Sequence, residues 1–213
     1  MIKILVVDDH ALIRKGIKQL LEDSPDMKIT GEAEIGMQAI SLIRKNYYDL
    51  VLLDIVLPDK HGMDVLKQIK AEQPGIKIIV LSAHPEDQYG VRALKAGASG
   101  YINKQSSPEK LVGAIRQVIS GRKFISEHLA EQLLNNLIGE CPELMHQSLS
   151  NREYQTLCLM ASGKSLTEIS KAMLISPKTV SVYRARMLEK MSFKNNAEVI
   201  RYAITHHLTD NQG

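Results

Sequence analysis

Five short apolar runs alternate with stretches of helical periodicity along residues 1–121, and this alternation limits the fold more than any other feature of the sequence. Strands alternating with helices are typical of a doubly wound parallel sheet with right-handed crossovers. The predicted strands lie at Ile2–Val7, Lys28–Ala33, within Leu50–Pro58, at Ile76–Ser82 and at Ser99–Lys104. The predicted helices lie at Leu12–Leu21, Gly36–Tyr47, His61–Gln73, Pro85–Ala96 and Pro108–Ser120. We therefore predict an α/β fold with a five-stranded parallel sheet.

One carboxylate, Asp54, stands inside the third apolar run, LVLLDIVLP. Burying an unpaired carboxylate is costly, but at the carboxyl end of a strand Asp54 would face the crevice where open α/β sheets bind ligands. The alternative for Asp54 taken alone is a strand-end cap or a turn residue. The other strand ends favour a site, because Asp8-Asp9, Ser82 and Lys104 follow or end three of them. A parallel sheet gathers these groups at one edge.

Three carboxylates at one edge repel one another unless a cation neutralises them, and Mg²⁺ prefers carboxylate and carbonyl oxygens. Lys104 and Ser82 would supply the positive charge and the hydrogen bond that a transferred phosphoryl group needs. Each residue alone has a simpler explanation: Asp8-Asp9 as a helix N-cap pair, Ser82 as a strand-end hydroxyl, and Lys104 as a solvated charge. We interpret His10 as the residue that opens the first helix and not as a catalytic base.

Residues 1–121 resemble the receiver domain of two-component response regulators, whose fold is flavodoxin-like and CheY-like. The resemblance implies that Asp54 is the phosphoryl-accepting nucleophile and that Asp8 and Asp9 hold Mg²⁺ together with Asp54 and the backbone carbonyl of Val56. Further positions of the family pattern are matched by the switch residues Ser82 and Tyr101, by Lys104, and by Pro58 and Gly62 in the loop after Asp54.

The same stretch departs from the family at Gln105, where many receivers place a proline after the lysine. Alone, Tyr101 is also explained as strand filling. A haloacid-dehalogenase-type phosphatase would carry a second Asp two residues after its nucleophile, whereas Val56 stands there. The sequence has no GxxxxGK[ST] loop and no GxGxxG after the first strand. We therefore expect a phosphoryl acceptor and not a turnover enzyme, and an aspartyl-phosphate enzyme with an accessory helical domain stays as an alternative.

Residues 122–147 are interpreted as an interdomain linker that contains one helix, at Ser126–Ile138. Its apolar positions recur at helical spacing and comprise Leu129, Leu133, Leu134 and Leu137. This stripe is expected to pack on a neighbouring domain, with a dimer contact as the alternative.

The remaining residues, 148–213, carry closely spaced signals for helix starts. Ser150–Glu153 and Ser165–Glu168 fit the capping box S-x-x-E, and Ser176 precedes Pro177 as an N-cap before a proline in the first turn. The predicted helices are Asn151–Ser162, Thr167–Met173, Pro177–Met191 and Asn196–His206. Short helices joined by tight turns, with a longer basic third helix, are typical of a helix-turn-helix.

This third helix has apolar positions at helical spacing, Val180, Met187, Leu188 and Met191, which are expected to face the core with Leu157, Ile169 and Met173. Residues 148–208 resemble the LuxR/NarL-type DNA-binding domain. The resemblance gives Lys178, Thr179, Tyr183, Arg184 and Arg186 as candidate phosphate contacts and Ser181, Val182 and Ala185 as the groove-facing residues. Two departures are Tyr183, where the family frequently has His, and Leu166-Thr167 at the opening of the preceding helix. The small groove-facing residues predict methyl contacts or shape readout.

Charge and composition agree with this division. Residues 148–213 contain nine Lys and Arg against five Asp and Glu, whereas the whole chain has a net charge of +3. A basic C-terminal region is consistent with a polyanionic partner. Cys141 and Cys158 lack metal-ligand spacing and are expected to be free thiols. No signal peptide or membrane-length apolar run is evident, so a cytoplasmic location is expected.

Together these features identify the chain as resembling a NarL/FixJ-type response regulator. The implied partners are promoter DNA, a sensor histidine kinase that phosphorylates Asp54, and a second copy of the chain when phosphorylated; RNA polymerase is a further candidate. A regulator that acts through a protein partner without phosphorylation is the other alternative.

Overall fold

The computed structural model describes residues 1–138, 144–206 and 208. The chain divides into two compact units, Met1–Ala130 and Glu131–Gly213. Cys141 therefore lies outside the described residues, as does the side chain of Leu137. Cys158 is buried and does not form a disulfide.

The first unit is built on a parallel sheet of five strands in the order β2-β1-β3-β4-β5. The strands are β1 (Ile2–Val7), β2 (Met27–Ala33), β3 (Leu50–Asp54), β4 (Lys77–Ser82) and β5 (Gly100–Asn103). The chain reverses its direction across the sheet after β2, and β3 lies between β1 and β4. The predicted α/β fold class is confirmed.

Five helices connect and follow these strands: α1 (Ala11–Glu22), α2 (Gly36–Lys45), α3 (Gly62–Glu72), α4 (Glu86–Lys95) and α5 (Pro108–Ile119). Most observed bounds differ from the predicted ones by one residue. The larger difference is at the end of α2, where Tyr47 lies outside the helix because the backbone is already extended at Asn46.

The core explains why β1 and β3 are so apolar. Ile4, Val6, Leu50 and Leu52 point to one face, where they form a cluster with residues of α1 and α5. Their neighbours Leu5 and the other intervening residues face the opposite side, because side chains alternate along a strand. All the residues of β3 are buried. The central strands are therefore covered on both faces, and β3 ends at Asp54.

Other atoms approach two glycines closely. A Cβ at Gly62 would clash with the backbone carbonyl oxygen of Asp54 and would lie 2.7 Å from Ile55 Cα, so no side chain fits there. A Cβ at Gly90 in α4 would lie 2.9 Å from Leu129 Cδ1. The missing side chain of Gly90 leaves a slot on α4 that the fully buried Leu129 fills.

The linker stretch begins against the first unit. Phe124 forms an isolated parallel bridge with Gly100 at the start of β5, and its N–H donates to the Ser99 carbonyl at 2.9 Å. The Ser126 hydroxyl donates to Glu86 Oε1 at 2.6 Å. It also accepts from Leu129 N at 3.0 Å and thus caps the helix that follows, α6 (Glu127–Ile138). Within the predicted stripe, Leu133 is half-buried and Leu134 is 55% exposed.

The described residues of the second unit comprise the end of α6, a short 3₁₀ helix, Met145–Ser148, and four further helices. These are α7 (Asn151–Ala161), α8 (Leu166–Met173), α9 (Pro177–Lys190) and α10 (Asn196–Thr205). Both predicted capping boxes are present, at Ser150 and at Ser165, and the Ser176 side chain caps α9. These caps are local in sequence, which is why the starts of α7, α8 and α9 could be predicted closely.

The core of the second unit holds the apolar positions expected from helical spacing. Six of them are buried, Leu157, Ile169, Met173, Val180, Met187 and Met191, and Leu188 is half-buried. The helix-turn-helix prediction is confirmed. Over the part of the chain that the structure describes, no helix has both the length and the apolar character required to cross a membrane.

Candidate functional site

The carboxyl edge of the sheet brings together Asp8, Asp54 and Lys104. Asp54 ends β3, Asp8 directly follows β1, and both side chains are almost fully buried. The Lys104 ammonium follows β5 and lies 2.7 Å from Asp54 Oδ2 and 2.7 Å from Asp8 Oδ2. One lysine is thus shared between two buried carboxylates that come from strands on either side of the crevice.

This sharing leaves the negative charge incompletely compensated. Burial raises the pKa of Asp54 above its ordinary value, and the Lys104 ammonium offsets only part of that effect. Burial alone would lower the pKa of Lys104, but the carboxylates of Asp54 and Asp8 outweigh it and raise that pKa. Lys104 is therefore held charged, while ionised Asp54 stays under electrostatic strain.

A metal ion fits this arrangement. Ligand atoms of Asp8, Asp9, His10 and Asp54 all lie within 4.8 Å of one another. Asp8 Oδ2 is buried and, although Lys104 is near, receives no well-directed hydrogen bond from the described residues. Carboxylate oxygens with spare acceptor capacity and excess negative charge suit a divalent cation. The chain can therefore hold a metal at this edge.

His10 is closer to the acidic cluster than the sequence indicated. It occupies the N-cap position of α1, as the interpretation of a helix-opening residue requires, but its side chain makes no cap hydrogen bond. Its ring Nδ1 instead lies 3.0 Å from Asp8 Oδ1 and 2.8 Å from Asp9 Oδ1. The alternative of Asp8-Asp9 as the N-cap pair is not what the fold uses, because the N-cap residue is His10.

Ser82 and Tyr101 face the segment between β4 and α4. The Ser82 hydroxyl is fully buried and accepts from His84 N at 3.0 Å. Its backbone carbonyl accepts from Lys104 N at 2.7 Å. The Tyr101 hydroxyl donates to the His84 carbonyl at 2.9 Å and lies 3.4 Å from the carbonyl of Pro85. Both residues thus contact the backbone that leads into α4.

The loop after Asp54 is fixed at both of its ends. Asp54 Oδ1 accepts from Val56 N at 3.2 Å, and Gly62 N donates to the Ile55 carbonyl at 2.6 Å. The Asp59 carboxylate accepts from the first backbone N–H groups of α2, Gly36 N at 2.7 Å and Met37 N at 2.8 Å. Asp59 therefore caps a helix more than twenty residues earlier in the chain, a role that local sequence signals do not reveal. The Lys104–Gln105 peptide bond is trans.

The second unit presents the predicted DNA-contact residues along α9. Lys178, Ser181, Ala185 and Arg186 are exposed, and Val182 is 42% exposed. Thr179, Tyr183 and Arg184 are half-buried. The residues predicted to face the groove carry few polar groups, and the Ser181 hydroxyl among them already donates to the Pro177 carbonyl at 3.0 Å.

Two basic residues near the end of α9 have partners inside the second unit. Arg184 Nε donates to Asn196 Oδ1 at 2.9 Å, which orients the guanidinium from the start of α10. Lys190 Nζ lies 2.7 Å from Glu153 Oε2. Lys190 therefore contributes an ion pair to the unit's own packing, and Lys178 and Arg186 are further exposed positive charges of this helix.

Comparison with protein families gives one match in each unit. Residues 4–116 match the family described as "Response regulator receiver domain". Residues 147–203 match the family described as "Bacterial regulatory proteins, luxR family". The two matches cover the unit that carries Asp54 and the unit that carries α9.

Curated relatives and solved structures match over nearly the whole chain. Response regulator UvrY of Escherichia coli (strain K12) is 38% identical over 98% of this chain and 96% of its own length. Response regulator GacA of Pseudomonas aeruginosa is 37% identical over 99% of both chains. A structure of RcsB from Salmonella enterica serovar Typhimurium, bound to the promoter P1flhDC in the presence of phosphomimetic BeF3−, superposes with a TM-score of 0.66 at 26% identity. It covers 96% of this chain and 98% of that one.

Proposed function

The chain belongs to the two-component response regulators that join a receiver domain to a luxR-type helix-turn-helix domain, and from this premise we propose that phosphorylation of Asp54 controls its binding to promoter DNA. The observation that carries the proposal is the position of Asp54 at the end of β3, buried, with a raised pKa and in contact with Lys104. An incompletely compensated carboxylate at a ligand-binding sheet edge is suited to react or to bind a cation.

In the proposed reaction, a carboxylate oxygen of Asp54 attacks the phosphorus of a phosphohistidine on a sensor kinase. The P–O bond to Asp54 forms, the P–N bond breaks, and the imidazole leaves with the electron pair and takes up a proton from solvent. The Lys104 ammonium offsets charge on the phosphoryl oxygens. Asp8, Asp9, Asp54 and the Val56 carbonyl would hold Mg²⁺, which neutralises phosphoryl charge when bound.

The response is proposed to pass through Ser82 and Tyr101. The Ser82 hydroxyl would turn toward the new phosphoryl group, giving up its bond with His84 N. Tyr101, already bonded to the carbonyl of His84, would then move with that segment and shift an existing equilibrium between inactive and active states. The protein is an acceptor in this scheme and not a turnover enzyme.

The output is proposed to be binding of promoter DNA as a dimer. Lys178, Thr179, Tyr183, Arg184 and Arg186 would contact phosphates, and Ser181, Val182 and Ala185 would face the major groove. Solved structures of RcsB show that relative on promoter DNA and as dimers on DNA, which supports both parts. A dimer on paired half-sites gains affinity through effective concentration.

We propose residues 1–121 as the receiver domain, 122–147 as the linker and 148–213 as the DNA-binding domain. The proposed location is the cytoplasm, where the sensor kinase would phosphorylate the receiver. RNA polymerase is a candidate contact at the promoter.

Incubation with Mg²⁺ and acetyl phosphate, followed by intact mass measurement, tests the acceptor. The expected result is one phosphoryl group on the wild type, none on Asp54→Asn, and wild-type labelling of Asp59→Asn, which alters the neighbouring loop carboxylate. A label that survives Asp54→Asn would exclude Asp54 as the acceptor. Sustained turnover of acetyl phosphate would instead support a phosphatase.

The DNA contacts are tested by the double variant Arg184→Ala, Arg186→Ala. Loss of two phosphate contacts should weaken binding to all sequences and reduce the slope of log affinity against log salt by about two. Lys15→Ala with Lys18→Ala is the matched control, because it removes the same charge from exposed positions of α1 in the first unit. Equal effects of the two double variants would show that only net charge matters.

A further inference from the structure

Arg14 is a buried cation on the side of α1 that faces the core. The residue is 9% exposed, and it shares this side with the buried Ile17 and Leu21. The helical periodicity of α1 gives no reason for a charge at this position. A guanidinium that is taken out of water needs hydrogen-bond acceptors, so its partners indicate its role.

Each of three nitrogens of Arg14 contacts a different acceptor. Nη1 donates to the backbone carbonyl of Asp8 at 2.8 Å. Nη2 donates to Glu34 Oε1 at 2.6 Å, and Nε donates to Glu32 Oε2 at 3.2 Å. Glu32 and Glu34 lie at the end of β2 and just after it, and their side chains are 44% and 65% exposed. The guanidinium therefore joins the ends of β1 and β2.

We infer that Arg14 is a positioning residue for the metal and phosphoryl site, an inference that rests on the proposed function. Arg14 binds the backbone carbonyl of Asp8 and not its carboxylate, so the carboxylate can still face Lys104 and a metal ion. Asp8 N donates to the Ala33 carbonyl at 3.0 Å, so both sides of this residue's backbone are bonded. The Asp8 carboxylate is thereby fixed at the edge where it meets Lys104.

The two glutamates make Arg14 compatible with a nearby cation. Arg14 with Glu32 and Glu34 carries a net charge of −1 when all three are ionised, so the group as a whole does not repel a divalent ion. A lysine could not replace this arrangement, because a single ammonium cannot present the planar fork that reaches three separate acceptors. The geometry is thus specific to arginine, whereas a lysine would keep only the charge balance.

The test is Mn²⁺ binding to the full chain, measured from the loss of the free Mn²⁺ signal in electron paramagnetic resonance. Arg14→Gln and Arg14→Lys should each raise the dissociation constant about tenfold, the usual effect of removing a residue that orients a metal ligand. With acetyl phosphate as donor, the Mg²⁺ concentration for half-maximal labelling should rise by a larger factor than the saturated rate falls.

Arg44→Gln is the matched control. Arg44 also bonds a carboxylate through two nitrogens, at 2.8 and 2.6 Å from the two oxygens of Glu72, but it is exposed and lies between α2 and α3. Its removal should leave the Mn²⁺ affinity unchanged. Glu34→Gln removes the charge of the more exposed acidic partner of Arg14 and should raise the Mn²⁺ dissociation constant about threefold. This variant stays informative if the Arg14 variants fold poorly.

The outcomes separate the inference from the proposed function. Wild-type Mn²⁺ affinity in folded Arg14→Gln would overturn the inference alone. The inference would also be overturned if Arg14→Gln is unfolded and Glu34→Gln binds Mn²⁺ with wild-type affinity, because Arg14 would then serve folding only. If the wild type binds neither Mn²⁺ nor a phosphoryl group, the proposed function fails and the inference fails with it.

Discussion

Lys104 in the first unit and Lys190 in the second each lie 2.7 Å from a buried carboxylate, yet the two surroundings differ. The Lys104 ammonium is shared by the carboxylates of Asp54 and Asp8. Among the described residues, Lys190 forms an ion pair with Glu153, and that carboxylate also accepts from Ser150 N at 2.8 Å. In charge, the first site thus has two buried carboxylates for one ammonium, whereas the second has one carboxylate for one ammonium.

The pKa shifts follow this difference and have opposite directions. Burial raises the pKa of Asp54 despite Lys104. Burial would also raise the pKa of Glu153, but the hydrogen bonds from Lys190 and Ser150 outweigh it and lower that pKa. A buried charge that its neighbours fully compensate stabilises the fold. A buried charge that its neighbours compensate only in part marks a place where a cation or a phosphoryl group can complete the site.

The largest expected effect comes from removing the shared lysine. Lys104→Met leaves two buried carboxylates facing each other and should lower the free energy of unfolding of the first unit by about 3 kcal/mol in metal-free buffer at neutral pH. Added Mg²⁺ should restore part of this loss. Urea denaturation followed by hydrogen exchange of peptides from each unit measures both quantities. The matched variant Lys190→Met should cost the second unit only about 1 kcal/mol. An equal loss in the two units would contradict the comparison.

A smaller effect is expected from removing the compensated acid. Glu153→Ala deletes an N-terminal capping partner and a buried ion pair, and should destabilise the second unit by about 2 kcal/mol. Glu168 occupies the same position of the second capping box but is exposed. Glu168→Ala should therefore destabilise the second unit clearly less than Glu153→Ala does. The same denaturation measurement applies, and similar losses for the two variants would show that burial and Lys190 contribute nothing.

The smallest effect, with the opposite sign, is expected at Asp54. Asp54→Asn removes the undercompensated charge and should stabilise the first unit by about 1 kcal/mol in metal-free buffer at neutral pH. Because the folded pKa of Asp54 is raised above its unfolded value near 3.8, the penalty is present above the folded pKa and disappears as pH falls through it. The advantage of Asp54→Asn should then shrink on acidification.

Glu153→Gln should behave differently over the same titration. Its folded pKa is lowered from 4.5, so the stability that Glu153 contributes is present above the unfolded pKa and is lost as pH falls below 4.5 toward the folded value. The deficit of Glu153→Gln should hold from neutral pH down to about the unfolded pKa and shrink only below it. Thermal unfolding of each variant against wild type, over pH 7 to about 3, checks both directions. If the stability advantage of Asp54→Asn grows as the pH falls, the pKa of Asp54 is not raised in the folded state.

The features that could be predicted from the sequence are those set by local patterns or by topology. The meeting of Asp8, Asp54 and Lys104 follows from parallel strands that end at one edge. The capping boxes of α7 and α8 need only a four-residue window. In the same way, the helical spacing of apolar residues predicts which side of α9 faces the core.

The features that could not be predicted depend on pairs of residues that the chain brings together from far apart. Arg14 in α1 binds Glu32 and Glu34 at the end of β2, and Asp59 caps α2 from the loop after β3. In sequence, each of these charges is indistinguishable from a solvated one, because burial and partner geometry arise only when the sheet is formed. His10 is a separate case, because its partners Asp8 and Asp9 are its sequence neighbours and the placement of its ring against them depends on the backbone conformation after β1.

Leu129, which fills the slot over Gly90, also decides where this regulator can be cut and rejoined. A chimera that carries a foreign output domain after residue 121 would lose the Phe124 bridge to Gly100 and would leave the Gly90 slot open to water. A junction after residue 130 keeps both contacts, so sensors assembled from this receiver should be built with the first turn of α6 included.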